Sequence, residues 1–252
     1  ETSDGRRPLA SRTYYARLTQ ALITALTAPM AEGRLYEVDM RLRPSGTQGP
    51  VATSWASFRN YQTTDAWVWE HLALTRARVV AGGGGGLAED IESFRSRLLG
   101  EPRPRSRVLE EVRDMRGRIA DAKSPDGVWD AKTGPGRQLD IELVAQAGAL
   151  IAGRPTPNVA EGLAAGGAAG WLSPDDVAAL AAGHRLCWTV LTAARLLTGG
   201  AMDAANLGEG GVGFLCRTAG FDTVEALETA LERSYDSCAR RIDMLMATEE
   251  AE

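Results

Sequence analysis

Cysteine is scarce in this 252-residue chain: Cys187, Cys216 and Cys238 make an odd number with no Cys-x-x-Cys spacing. That spacing suggests neither a disulfide framework nor a zinc site, and reduced thiols fit it better. Histidine is scarcer, with only His71 and His184. An excess of basic residues is missing too. The formal net charge of −5 gives no footprint for nucleic acid or an anionic membrane surface. No apolar run approaches the roughly 20 residues that cross a bilayer. The polar opening, Glu1-Thr2-Ser3-Asp4-Gly5-Arg6-Arg7, lacks the apolar core of a secretory signal. These absences predict a cytoplasmic protein that binds neither nucleic acid nor membrane.

What is present is organised around Leu35-Tyr36-Glu37-Val38-Asp39-Met40-Arg41-Leu42-Arg43-Pro44. Tyr36, Val38, Met40 and Leu42 are apolar, and the residues between them are charged. Side chains alternate across a strand, so this spacing predicts a strand with one buried and one charged face. Gly33 and Pro44 punctuate its ends. Asp39 beside Arg41 and Arg43 could hold a divalent cation next to a phosphate chain, because guanidinium groups pair with phosphate oxygens. The same pattern also describes a solvated face that neutralises itself.

Most of the remaining chain reads as helix. Tyr15, Leu18, Leu22 and Leu26 share one face of a helix over 11–27, which Pro29 ends. Thr53 or Ser54 caps a short helix carrying Trp55, Phe58 and Tyr61, and Asp65 caps another over 66–80. Gly82 to Gly86 lacks the Lys-Ser/Thr of a P-loop and reads as a linker. Further helices are expected over 87–99, from Ser106, and over 139–151. Ser173-Pro174-Asp175-Asp176 combines a capping serine, proline at N1 and acids in the first turn, so a long helix starts there. Gly199 to Gly213 reads as a loose connector, and Asp222 with Glu225 opens the last helix. His71 and His184 fall among packing residues. Lys132-Thr133-Gly134-Pro135-Gly136 precedes a helix with Asp140 and Glu142 in its first turn. A glycine-rich loop at a helix N-terminus suits an anion, while acids there also steady an ordinary helix.

The segment 35–46, together with Thr53-Ser54, Phe58, Tyr61-Gln62, Ala66-Trp67-Val68-Trp69-Glu70-His71 and Ala73-Leu74-Thr75-Arg76-Ala77-Arg78-Val79-Val80, closely resembles the bifunctional glutamine synthetase adenylyltransferase/adenylyl-removing enzymes. Lys132, Gly134, Gly136 and Asp140-Ile141-Glu142-Leu143-Val144-Ala145-Gln146 match a second block of that family. Ser45-Gly46 and the Trp-x-Trp-Glu-His run look like its C-terminal, adenylylating half. The resemblance implies an α+β, predominantly helical chain. A partial polymerase β-like nucleotidyltransferase domain over 1–100 would precede an antiparallel helical bundle, a regulatory region, over 101–252. It implies transfer of AMP from ATP to a tyrosine of glutamine synthetase, with Mg²⁺, under control of the PII signal protein and glutamine. Asp39 would be the catalytic, metal-binding carboxylate, and Arg41, Arg43 and Lys132 would face the nucleotide. The family's Gly-Ser-x-x-Asp-x-Asp motif, which carries its other two carboxylates, is absent, and Arg137 stands where a second glycine is usual. The expectation is therefore an incomplete catalytic fragment. Two alternatives stand beside it: a non-catalytic helical module that binds PII or glutamine synthetase, and the adenylyl-removing half.

Overall fold

The computed structural model describes residues 9–34, 36–81, 85–199, 202 and 206–247. The chain divides into two compact units, residues 1–71 and 72–252.

In the first unit, α1 (Ser11–Thr27) occupies the span its apolar spacing predicts. It buries no residue, and Tyr15, Leu18 and Leu22 are 58%, 50% and 58% exposed. Strands β1 (Pro29–Met30) and β2 (Gly33–Arg34) form a small antiparallel hairpin. Residues 36–40 then take no regular secondary structure, which corrects the strand expected over 35–43; Leu35 lies outside the described residues. A strand needs a neighbouring row of N–H and C=O groups. Here Tyr36 N–H donates to the Leu26 carbonyl at 3.1 Å, Arg41 N–H to Asp39, and Arg43 N–H to the Met40 carbonyl. None of these partners belongs to another strand.

A turn through Ser45 (φ 60°) and Gly46 (φ 53°) leads to α2 (Trp55–Thr64), whose first turn is capped by the Ser54 side chain accepting from Ser57 N–H. Asp65 is the C-cap of α2 and not the start of α3 (Val68–Thr75). The first turn of α3 is met instead by Glu70, which accepts from Trp67 N–H at 3.0 Å. The helix ends at Thr75 and does not reach Val80. The division between the units falls within α3.

The second unit is all helical among the described residues. Helix α4 (Leu87–Leu99) opens on Gly86 in the left-handed region; Gly82 to Gly84, part of the expected linker, lie outside the described residues. Next come α5 (Arg105–Ala122), α6 (Gln138–Ile151) and α7 (Val159–Ala168). Then follow α8 (Pro174–Thr198), α9 (Glu209–Ala219) and α10 (Val224–Ala247). The Ser173 cap is complete: its hydroxyl accepts from Asp176 N–H, and the Asp176 carboxylate accepts from Ser173 N–H. Cys187, Val190 and Ala194 of α8 meet Leu215 of α9 and Leu227, Leu231 and Tyr235 of α10 in the buried core. By length and composition alone α8 could cross a membrane, which corrects the expectation that no segment could. Its buried stripe is what the central helix of a helical core shows.

Two helices were not expected from the sequence. Helix α7 lies in an Ala/Gly-rich stretch, and α9 begins inside the expected connector, of which residues 200, 201 and 203–205 lie outside the described residues.

Candidate functional site

The sequence nominates Asp39, Arg41, Arg43 and Lys132, and the structure treats each differently. Asp39 and Arg41 form a forked pair. The Arg41 Nε lies 2.8 Å and its Nη2 2.6 Å from Asp39 Oδ2, while Arg41 N–H donates to Oδ1 at 2.8 Å. Both side chains are exposed, at 56% and 79%. The guanidinium bonds, with the backbone N–H behind them, hold the Asp39 carboxyl below its ordinary value and raise that of Arg41. In water such a pair contributes little to stability and exchanges readily for another partner.

Arg43 is a staple for its own loop. Its guanidinium donates to the carbonyls of Met40 at 2.7 Å, Gly49 at 3.0 Å and Thr47 at 3.1 Å. Those bonds fix the loop that follows Asp39, so Arg43 serves the shape of the segment. Gly49 is required there, because a Cβ would strike the Pro44 carbonyl. Nearby, the Tyr61 hydroxyl donates to Glu70 at 3.0 Å, and His71 Nε2 lies 3.0 Å from the Gln62 carbonyl. These contacts join α2 to α3 and give His71 the packing role its setting suggests.

The glycine loop before α6 is closed on itself. Lys132 and Thr133 N–H donate to Asp130 Oδ1, both at 3.2 Å, and Gly136 N–H donates to Asp140 Oδ2 at 2.8 Å. The backbone donors that could have faced an anion are thus met by the chain's own carboxylates. Asp140 is in turn paired with Arg116 at 2.6 Å, and Arg116 with Asp243 at 2.9 Å. Lys132 itself is exposed. Arg137 donates to the carbonyls of Gly127 and Asp130, and its guanidinium lies 4.4 Å from the centre of the Tyr235 ring. The residue that departs from the family pattern therefore ties the loop to α10, with cation–π attraction added.

One cluster was not foreseen. Glu142 of α6 is bonded to Arg76 at 2.9 Å through Oε2, and its Oε1 faces His184 Nε2 of α8 at 3.8 Å. Burial raises the Glu142 carboxyl, but His184 and Arg76 outweigh it and the net shift is downward. Arg76 lies 66 residues from Glu142, and no short motif signals such a meeting.

A two-metal centre requires several acidic ligands around a reacting phosphate. Among the described residues no group of three or more His, Cys, Asp or Glu side chains gathers as a metal site would. Asp39 alone, with Arg41 on its oxygens, does not make such a site.

Comparison with known proteins agrees with the sequence blocks. Residues 1–90 match the glutamate-ammonia ligase adenylyltransferase family, and residues 108–248 match the GlnD PII-uridylyltransferase family. Both families are named for nucleotidyltransferases. Bifunctional glutamine synthetase adenylyltransferase/adenylyl-removing enzymes from Brucella suis and Rhizobium meliloti are each 41% identical to it, over 98% and 95% of the chain. One from Mesorhizobium japonicum is 49% identical over 61% of the chain. The chain belongs, through residues 108–248, to the GlnD PII-uridylyltransferase family, and along nearly its whole length it is similar to bifunctional glutamine synthetase adenylyltransferase/adenylyl-removing enzymes. It spans about a quarter of the length of the Brucella and Rhizobium relatives.

Proposed function

We propose that this chain is part of an enzyme that transfers AMP from ATP to a tyrosine of glutamine synthetase, and that it supplies one of the active-site carboxylates, Asp39. The observation that carries the reading is the match over 98% of the chain to the Brucella suis enzyme. Its support at the residue level is the pairing of Asp39 with Arg41 in the segment where the family resemblance is densest. ATP and Mg²⁺ are the nucleotide and ion this activity calls for. Asp39 would be one ligand among several, and the chain alone would not turn over. Arg41 would exchange its bond to Asp39 for phosphate oxygens, a geometry guanidinium favours. Arg43 would hold the loop, and Lys132, exposed beside the glycine loop, is the remaining candidate for nucleotide contact. Residues 1–100 would form part of a polymerase β-like domain and 101–252 an antiparallel helical region. That region would answer to PII and glutamine, in a cytoplasmic protein.

The match of 108–248 to the PII-uridylyltransferase family supports a second reading, in which the helices act as a non-catalytic module that binds PII or glutamine synthetase. A full-length protein carrying Asp39→Asn separates the two. The enzymatic reading expects AMP incorporation into glutamine synthetase to fall at least a hundredfold while phosphorolysis of the modified enzyme continues. Unchanged incorporation would leave the module. Loss of phosphorolysis with incorporation intact would assign the chain to the adenylyl-removing half.

A further inference from the structure

The connection 123–137 between α5 and α6 has no helix or strand of its own. Connections of that length are uncommon in a compact body and are usually functional. This one fixes one residue in particular. Ala131 and Thr133 are buried, at 0% and 5% exposure, while Lys132 between them is exposed. The Lys132 backbone is held on both sides: its N–H donates to Asp130 Oδ1 at 3.2 Å, and its carbonyl accepts from Leu139 N–H at 3.1 Å. Its ammonium makes no hydrogen bond or ion pair among the described residues.

Two side chains fasten the loop around that lysine. The Arg137 guanidinium donates to the carbonyls of Gly127, at 2.9 Å, and Asp130. The Tyr235 hydroxyl of α10 donates to the Val128 carbonyl at 3.1 Å. The guanidinium also lies 4.4 Å from the centre of the Tyr235 ring, so each side chain secures the other. Tyr235 belongs to the buried core, which makes it a fixed anchor. The link to Lys132 then runs through Asp130. Arg137 holds the Asp130 carbonyl, and the Asp130 carboxylate holds the N–H groups of Lys132 and Thr133.

A lysine on a loose loop gives up backbone as well as side-chain freedom when it binds. Here folding has already fixed the backbone, so an anion meets a preorganised donor. The ammonium is a compact point charge that suits phosphate. The N–H groups of Lys132, Thr133 and Gly136 are taken by carboxylates, which leaves the side chain to make the contact.

We propose that Arg137 and Tyr235 are positioning residues, which together set Lys132 where its ammonium meets the phosphate chain of ATP. Neither touches the nucleotide. The proposal rests on the reading of this chain as part of an AMP-transferring enzyme, and adds the two side chains that make Lys132 effective. A purely structural role would have them stabilise the fold and leave the response to ATP alone.

The test is AMP incorporation into glutamine synthetase, at varied ATP, by a full-length protein carrying this sequence. Lys132→Ala should raise KM for ATP about tenfold, the size of one charge-assisted bond, with a smaller effect on kcat. Arg137→Ala should raise it about fivefold, and adding it to Lys132→Ala should raise KM no further, because Arg137 acts only through that lysine. Arg137→Lys keeps a cation over the ring and should recover part of the loss. Tyr235→Phe keeps the ring and its packing, loses the Val128 bond, and should raise KM about twofold. An unchanged KM in Arg137→Ala or Tyr235→Phe, or effects that multiply in the double variant, would overturn the proposal. Loss of incorporation in Asp39→Asn without any response to Lys132→Ala would overturn this proposal alone. Unchanged incorporation in Asp39→Asn would overturn the reading it rests on as well.

Discussion

At the scale of single residues, carboxylates do most of the positioning. Asp130 gathers the loop before α6, Asp176 closes the cap of α8, and Glu142 stands between Arg76 and His184. Burial raises each of these carboxyls, but donors from backbone, hydroxyl or cation outweigh it and each is net lowered. A carboxyl whose folded value lies below its unfolded one stabilises the fold above the unfolded value, near 4, and the contribution disappears as pH falls through the folded value. The urea midpoint should therefore hold steady from about pH 8 to 5 and drop as pH goes below about 4. Asp130→Asn should flatten part of that drop. A midpoint that rises on acidification would contradict the assignment. Of these roles the sequence announced only Asp176, because a capping box is local. Asp130 sits in the glycine loop the sequence singled out, but its bonds depend on loop geometry that composition does not encode. Glu142 depends on Arg76, far along the chain.

At the scale of elements, caps and periodicity were readable and close packing was not. Helices α1 and α4 occupy the predicted spans, and α8 starts on its predicted cap, because each carries its signal within a few residues. Helix α7 was missed for a physical reason. Its glycines look like loop composition, yet they let it lie backbone to backbone on α6: a Cβ on Gly148 would come within 2.6 Å of the Gly162 carbonyl. Gly136 makes the same point at a turn. Its φ is 68°, and a Cβ would run into the Tyr235 carbonyl of α10. Strain in the left-handed region adds to a clash with backbone that cannot step aside. Gly136→Ala should cost on the order of 2–4 kcal/mol in chemical denaturation. A loss under about 0.5 kcal/mol, the size of an ordinary surface change, would show that the loop does not pack as described.

At the scale of the whole molecule, the two units differ in how much they bury. The second carries the apolar core, whereas α1 of the first keeps Tyr15, Leu18 and Leu22 exposed. Alternation in 35–43 was plain in the sequence, but it encodes which side chains share a face and not whether a neighbouring strand is present to pair with. We take the exposed face of α1 and the irregular segment 36–40 as two signs of one cause: both await a sheet. In this view a full-length protein carrying this sequence pairs the segment, and Asp39 is then presented from a rigid strand. Amide hydrogen exchange over residues 36–42, compared between the 252-residue chain and that full-length protein, tests this most directly. Exchange should slow at least a hundredfold at alternate amides in the full-length protein; equally fast exchange in both would contradict it.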